Sequence, residues 1–144
     1  MKRIVSLCLA SVMLVVMVLS LASCAVYGTI ESNFVNAGYK VIDPESTEGK
    51  TATAFTSIFG DAENGEVSVT LHIFKKAVGS YAFVLEFGAD AAAQEKLSEY
   101  MTEADIENYM QIDDESKLLR GNCVLIPFSL NSDTRAEMIE LFNK

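Results

Sequence analysis

The chain has 144 residues, with 11 basic and 20 acidic side chains, a formal charge of −9 and half of its residues apolar. That acidity argues against nucleic acid as a partner, because binding to it rests on neutralising phosphates. Three cysteines, of which only Cys123 lies beyond residue 24, exclude a scaffold stapled by internal disulfides.

The N-terminus opens on Met1-Lys2-Arg3 and runs from Ile4 to Leu21 without a charged residue. A basic start, an apolar run and small residues at its end (Ala22, Ser23) form the pattern of a secretory signal. The run of 18 residues also just reaches membrane-crossing length. Leu21-Ala22-Ser23-Cys24 resembles the lipobox of bacterial lipoproteins: aliphatic, small, small, Cys. The resemblance covers residues 1 to 24. It implies that the Cys24 thiol receives a diacylglyceryl group and that a dedicated peptidase cuts just before it. Residues 1–23 would then be a signal peptide, 24–28 a short lipidated tether and 29–144 a single domain. An uncleaved membrane anchor with an incidental cysteine is the alternative. Both place residues 25–144 on the extracytoplasmic side of the cell membrane, because Lys2 and Arg3 hold the N-terminus inside. One acyl chain holds a protein marginally and two hold it stably, so a diacylated Cys24 is a sufficient anchor.

Removing residues 1–23 takes away two basic side chains and no acidic one. The remaining 121 residues carry 9 basic and 20 acidic groups, a charge of −11. That length suits one domain with its own core, and the charge argues against lying flat on anionic lipid.

The first element is a helix capped by Thr29, with Ile30, Phe34 and Ala37 on one face, ended by Gly38. Tyr39 to Ile42 reads as a short strand before the Asp43-Pro44 turn, and Glu45 to Lys50 as a polar loop. Thr51 to Phe59 carries two patterns. Phe55, Ile58 and Phe59 can share a helical face, whereas Thr, Phe and Ile favour a strand; the strand is adopted because the hairpin signal Asn64-Gly65 follows. Val67 to Phe74 alternates: Val67, Val69, Leu71 and Ile73 face the core, and Ser68, Thr70, His72 and Phe74 face outward. After a turn at Gly79-Ser80 the alternation resumes, with Tyr81, Phe83, Leu85 and Phe87 on one side. Asp90 caps a helix whose stripe is Ala93, Leu97, Tyr100 and Met101. Thr102 and Asp105 open a second, short helix, and Asp113 to Ser116 is a loop. Asn122 to Phe128, nearly all apolar, is a strand in mid-sheet. Thr134 to Glu137 forms a capping box for a last helix that buries Met138, Ile139 and Phe142. The expected fold is α+β: an antiparallel sheet of about four to five strands with helices packed on one face.

Chemistry is thinly marked. His72 is the sole histidine and has no companions at metal-ligand spacing. Cys123 sits in the apolar run Cys-Val-Leu-Ile-Pro-Phe, the setting of a buried, inert thiol. Glu95, Glu99, Glu103, Asp105, Glu107, Asp113, Asp114 and Glu115 supply many carboxylates. They follow no calcium-loop pattern, and a solvated surface accounts for them. No nucleophile elbow, zinc helix, phosphate loop or dinucleotide fingerprint occurs, so no catalytic residue, metal or cofactor is assigned. Residues Ala37 to Val41 and Arg120 to Ile126 also resemble stretches of small lipoproteins of Gram-positive bacteria, a resemblance that implies no activity and no site residues.

Two functions fit. The first is a membrane-anchored binding or interaction module with an envelope protein as partner. Its contact surface would be the uncovered sheet face carrying Thr70, His72, Phe74 and Val84, since exposed Phe and His on a sheet call for a cover. The second is a small cell-envelope hydrolase using His72 or surface carboxylates. A two-lobed solute receptor is a weaker third, because 121 residues leave little room for a cleft between lobes.

Overall fold

In a computed structural model the chain is described at residues 26–53, 68–103 and 118–144. The first helix, α1, covers residues 26–36. Ile30 and Phe34 are fully buried, one turn apart, and Val26 and Tyr27 pack against the same core. Those two extend the apolar stripe backward by a turn. Thr29 therefore lies inside the helix and does not cap it, and residues 26–28, expected as tether, are helical. Burial of that extra turn outweighs the capping preference of threonine. Gly38 ends the helix as expected, with φ +86°, while the Tyr39 N–H bonds to the Phe34 carbonyl at 3.0 Å.

Strand β1 is Lys40–Ile42. Helix α2, Thr47–Thr53, replaces the expected loop and the start of the expected strand. Its signal is Ser46. The hydroxyl accepts from the Gly49 N–H at 3.0 Å and donates to the Asp43 carbonyl at 2.6 Å, an N-cap in the middle of a turn. Strands β2 (Val69–Ala77) and β3 (Ser80–Phe87) form the expected hairpin. Helix α3, Ala91–Glu103, starts at Asp90 as expected: its carboxylate accepts from the Ala93 N–H at 2.9 Å. Thr102 lies within α3, and the second, short helix expected from Asp105 onward lies outside the described residues. Strand β4 is only Leu119–Arg120, and β5 is Cys123–Ser129. The last helix, α4, runs over Ser132–Asn143. Its cap is Asn131, whose side chain accepts from the N–H groups of Asp133 and Thr134, so Thr134 lies one turn inside. Met138 and Phe142 are buried as expected, and Ile139 is partly so.

The sheet has the order β1-β2-β3-β5-β4, antiparallel throughout. The expected α+β architecture is the one the chain adopts, and β5 is interior as its apolar run indicates. Residues 1–25, the hairpin signal at Asn64-Gly65, the rest of the Thr51 to Phe59 segment, Asp105 and the acidic loop at Asp113 to Ser116 lie outside the described residues. So do the side chains of Leu97, Tyr100 and Met101.

Cross-strand register assigns the faces, because directly opposed residues project to the same side. One face carries Thr70, His72 and Phe74 beside Glu86, Val84 and Ala82, and these beside Cys123, Leu125 and Pro127. Helix α1 lies along β2 on this face. Tyr27 stacks on His72, Phe34 on Phe74 at 4.8 Å, and the Lys76 ammonium sits 5.1 Å from the Tyr39 ring. Helix α4 runs back beside it: Glu137 pairs with Lys76, the Asn33 amide donates to the Leu141 carbonyl at 3.0 Å, and Arg120 donates to the Phe142 carbonyl at 2.8 Å.

The face expected to be open is thus the one that α1 and α4 cover. Phe74 and Val84 are fully buried there, His72 is half-buried, and of the four expected contact residues only Thr70 is exposed. The opposite face, with Ile73, Phe83, Leu85, Val124 and Ile126, is buried as well. The physical reason lies in β3 and β5, which are apolar at consecutive positions and so need cover on both sides.

Candidate functional site

Polar groups gather at one end of the covered face. The register sets Thr70 opposite Glu86, Glu86 opposite Cys123 and Cys123 opposite Arg120, a row across four strands. The next row, His72, Val84 and Leu125, is polar only at its β2 end. His72 therefore lies diagonal to Glu86, and its Nε2 is 3.0 Å from a Glu86 carboxylate oxygen. Each side chain is 18% exposed. The imidazole is stacked on the Tyr27 ring from α1, with centroids 3.6 Å apart and planes 19° from parallel.

Charge and burial fix the protonation of the neighbours. Burial, followed by the carboxylates of Glu31 and Glu86, pushes the Tyr27 phenol up to about 12. Burial and then Glu86 push the Cys123 thiol up to about 12 as well, against a smaller opposing effect of the Arg120 guanidinium. Cys123 is fully buried, and its sulfur lies 3.7 Å from the Asn122 side-chain oxygen. A thiol held neutral in this way supplies no thiolate at neutral pH, and the thiolate is the nucleophile. Among the described residues His72 makes its hydrogen bond to Glu86 alone. The cluster is a histidine–carboxylate pair clamped under an aromatic ring, with no nucleophile among the described residues in hydrogen-bond reach of its base. No group of three or more His, Cys, Asp or Glu side chains converges on a common point among the described residues.

Sequence reasoning singled out His72 and Cys123 but missed Tyr27 and Glu86. The sequence held no clear signal for Glu86. The tight turn at Val78-Gly79 pairs Ala77 with Ser80, a register that alone would set Leu85 opposite His72 and Glu86 on the other face. An irregularity between Lys75 and Ala77 shifts the pairing by one residue, so that Val84 faces His72 and Glu86 lies two residues beyond it. Tyr27 had none either, because it falls in the stretch read as tether. Cys24 lies outside the described residues.

The two ends of the sheet differ. At the polar end, Val26 of α1 sits against the β4–β5 turn, where a Cβ on Gly121 would lie 3.3 Å from a Val26 methyl. At the other end, Ser80 and Ser129 pair through their hydroxyls at 3.0 Å. Beside them Val78, in the β2–β3 turn, is 93% exposed, and Leu130, just after β5, is 98% exposed. Among the described residues no helix is long and apolar enough to cross a membrane. Compared with protein-family models, with curated proteins and with solved structures, the chain matches none of them.

Proposed function

We propose that this protein is an extracytoplasmic lipoprotein, held at the cell membrane by diacylated Cys24, whose domain acts as an interaction module for an envelope protein. The anchor rests on the lipobox resemblance at Leu21 to Cys24 behind a basic start and an apolar run. The observation that supports the module is the pair Val78 and Leu130: two large apolar side chains, almost wholly in solvent, at the end of the sheet remote from α1's first turn. They take the place of Thr70, His72, Phe74 and Val84 as the candidate contact surface. For the alternative of a small cell-envelope hydrolase using His72 or surface carboxylates, His72 meets the Glu86 carboxylate at 3.0 Å but has no nucleophile within hydrogen-bond reach among the described residues.

A photoreactive side chain at position 130 of the lipidated protein, activated in intact cells, should give one discrete crosslinked species. The same group at Glu140, an exposed position on α4, should give none. Equal, diffuse labelling from both positions would refute the contact surface.

A further inference from the structure

We infer that the end of the domain formed by Val26, Gly121 and the C-terminal turn of α4 faces the phospholipid headgroups, with the Val78–Leu130 end standing away from the bilayer. This inference rests on the anchor reading above and adds the surface that meets the lipid.

Its basis is the length of the free chain. Only Ala25 separates Cys24 from residue 26, which is already helical. Two Cα–Cα steps span at most about 7 Å. Helix α1 is fastened to the sheet from its first described turn: Val26 packs beside Gly121, and Tyr27 stacks on His72 at 3.6 Å. A lipid on Cys24 is therefore tied within a few ångströms of one particular end of a rigid body, and not to a flexible leader. The C-terminal turn of α4 belongs to the same end, because Arg120, next to Gly121, donates to the Phe142 carbonyl.

From there the sheet runs outward. Strand β3 has eight residues, which at roughly 3.3 Å each put the β2–β3 turn about 25 Å farther along. The pairs along α1 and just past its end run in the same direction: Tyr27 with His72, Phe34 with Phe74, then Tyr39 with Lys76. A pivot so short keeps the near end at the headgroups whatever the tilt. The charge of −11 opposes tipping the rest of the domain onto an anionic surface.

The test uses the full lipidated protein in vesicles of phosphatidylcholine and phosphatidylglycerol that contain a headgroup-nitroxide lipid. A fluorophore is attached through Lys144→Cys, two residues past Phe142, or through Val78→Cys. Intact mass of the same preparations reports whether Cys24 carries its diacylglyceryl group. With Cys24 modified, quenching at position 144 should be several-fold stronger than at 78. A Gly/Ser insert of about ten residues after Cys24, reaching roughly 17 Å on average, should reduce quenching at 144 and shrink the difference. Modified Cys24 with equal quenching at the two positions, or stronger quenching at 78, would overturn the orientation while leaving the anchor intact. Unmodified Cys24 would overturn both.

Discussion

Phe74→Ala separates the two possible arrangements of the sheet. The strand pattern alone sets Phe74 outward beside His72, whereas the fold buries it completely against Phe34, with ring centroids 4.8 Å apart. Phe34 in turn meets Tyr39 edge-on at 5.0 Å, so Phe74 supports the seat of α1 and the turn that leads into β1. Truncating a buried Phe to Ala costs about 3–5 kcal/mol, of which the lost aromatic pairing is about 0.5–1.5 kcal/mol. A domain of this size is stable by about 5–15 kcal/mol, so the variant keeps its fold with a much reduced margin. Each kcal/mol moves the melting temperature of such a domain by roughly 3–5 °C, which gives an expected fall of about 10–20 °C. Thermal unfolding followed by circular dichroism reads this directly. Val78→Ser serves as the control, since a solvated position should change stability by no more than about 0.5 kcal/mol. A Phe74→Ala protein that melts with the wild type would mean that α1 does not cover this face.

Ionisation of Cys123 should weaken the fold in alkali. Its thiol is pushed from 9.0 up to about 12 by burial and Glu86, so its stabilising effect is complete below pH 9 and is lost as pH climbs toward 12, where the unfolded chain alone sheds the proton. Tyr27, raised from 10.0 to about 12, adds a loss of the same sign above pH 10. Urea midpoints at about pH 8 and about pH 11 should therefore fall less in Cys123→Ala than in wild type, and equal falls would refute the assignment. Gly49→Ala should lower the melting temperature markedly, because its Cβ would stand 2.1 Å from the Asp43 carbonyl oxygen and 2.6 Å from that of Pro44. Gly28→Ala, on an open helical position with nothing within 4 Å, should instead stabilise by about 0.5–1 kcal/mol; a reversed order in a melting comparison would contradict the packing at α2. Asn131→Ala should cost about 1 kcal/mol in a denaturant titration, with Asn131→Asp keeping most of the cap. No difference between the two would show that the cap lies elsewhere.

The fold class was legible because its carriers are local. Alternation in β2 and β3, the turn at Gly79, the continuous apolar run of β5 and the caps at Gly38 and Asp90 each act over a few residues. Errors arose where a second local signal competed. Thr29 and Thr134 are adequate caps, but Val26-Tyr27 and Asn131 each offer an earlier start with more to gain. Thr51 to Thr53 favour a strand intrinsically, yet Ser46 had already begun a helix.

The site was harder to read, for a tertiary reason. Whether the His72 face is open depends on where α1 and α4 dock, and period-two alternation assigns residues to a face without saying what covers it. A buried two-sided strand and a half-exposed one differ only in the face opposite the core. Ala82 and Val84 held that information, and His72 masked it. The clamp on His72 needs a ring from a helix 45 residues earlier, a separation that no sequence motif encodes.

The state of Cys24 decides how the domain is held, and mass spectrometry of the protein recovered from its native membrane reads it directly. A mature N-terminus at Cys24 carrying a diacylglyceryl group, abolished in Cys24→Ala, is the result expected. A chain that retains Met1 to Ser23, or one that begins elsewhere with Cys24 unmodified or absent, would contradict the anchor and with it the membrane-facing end of the domain.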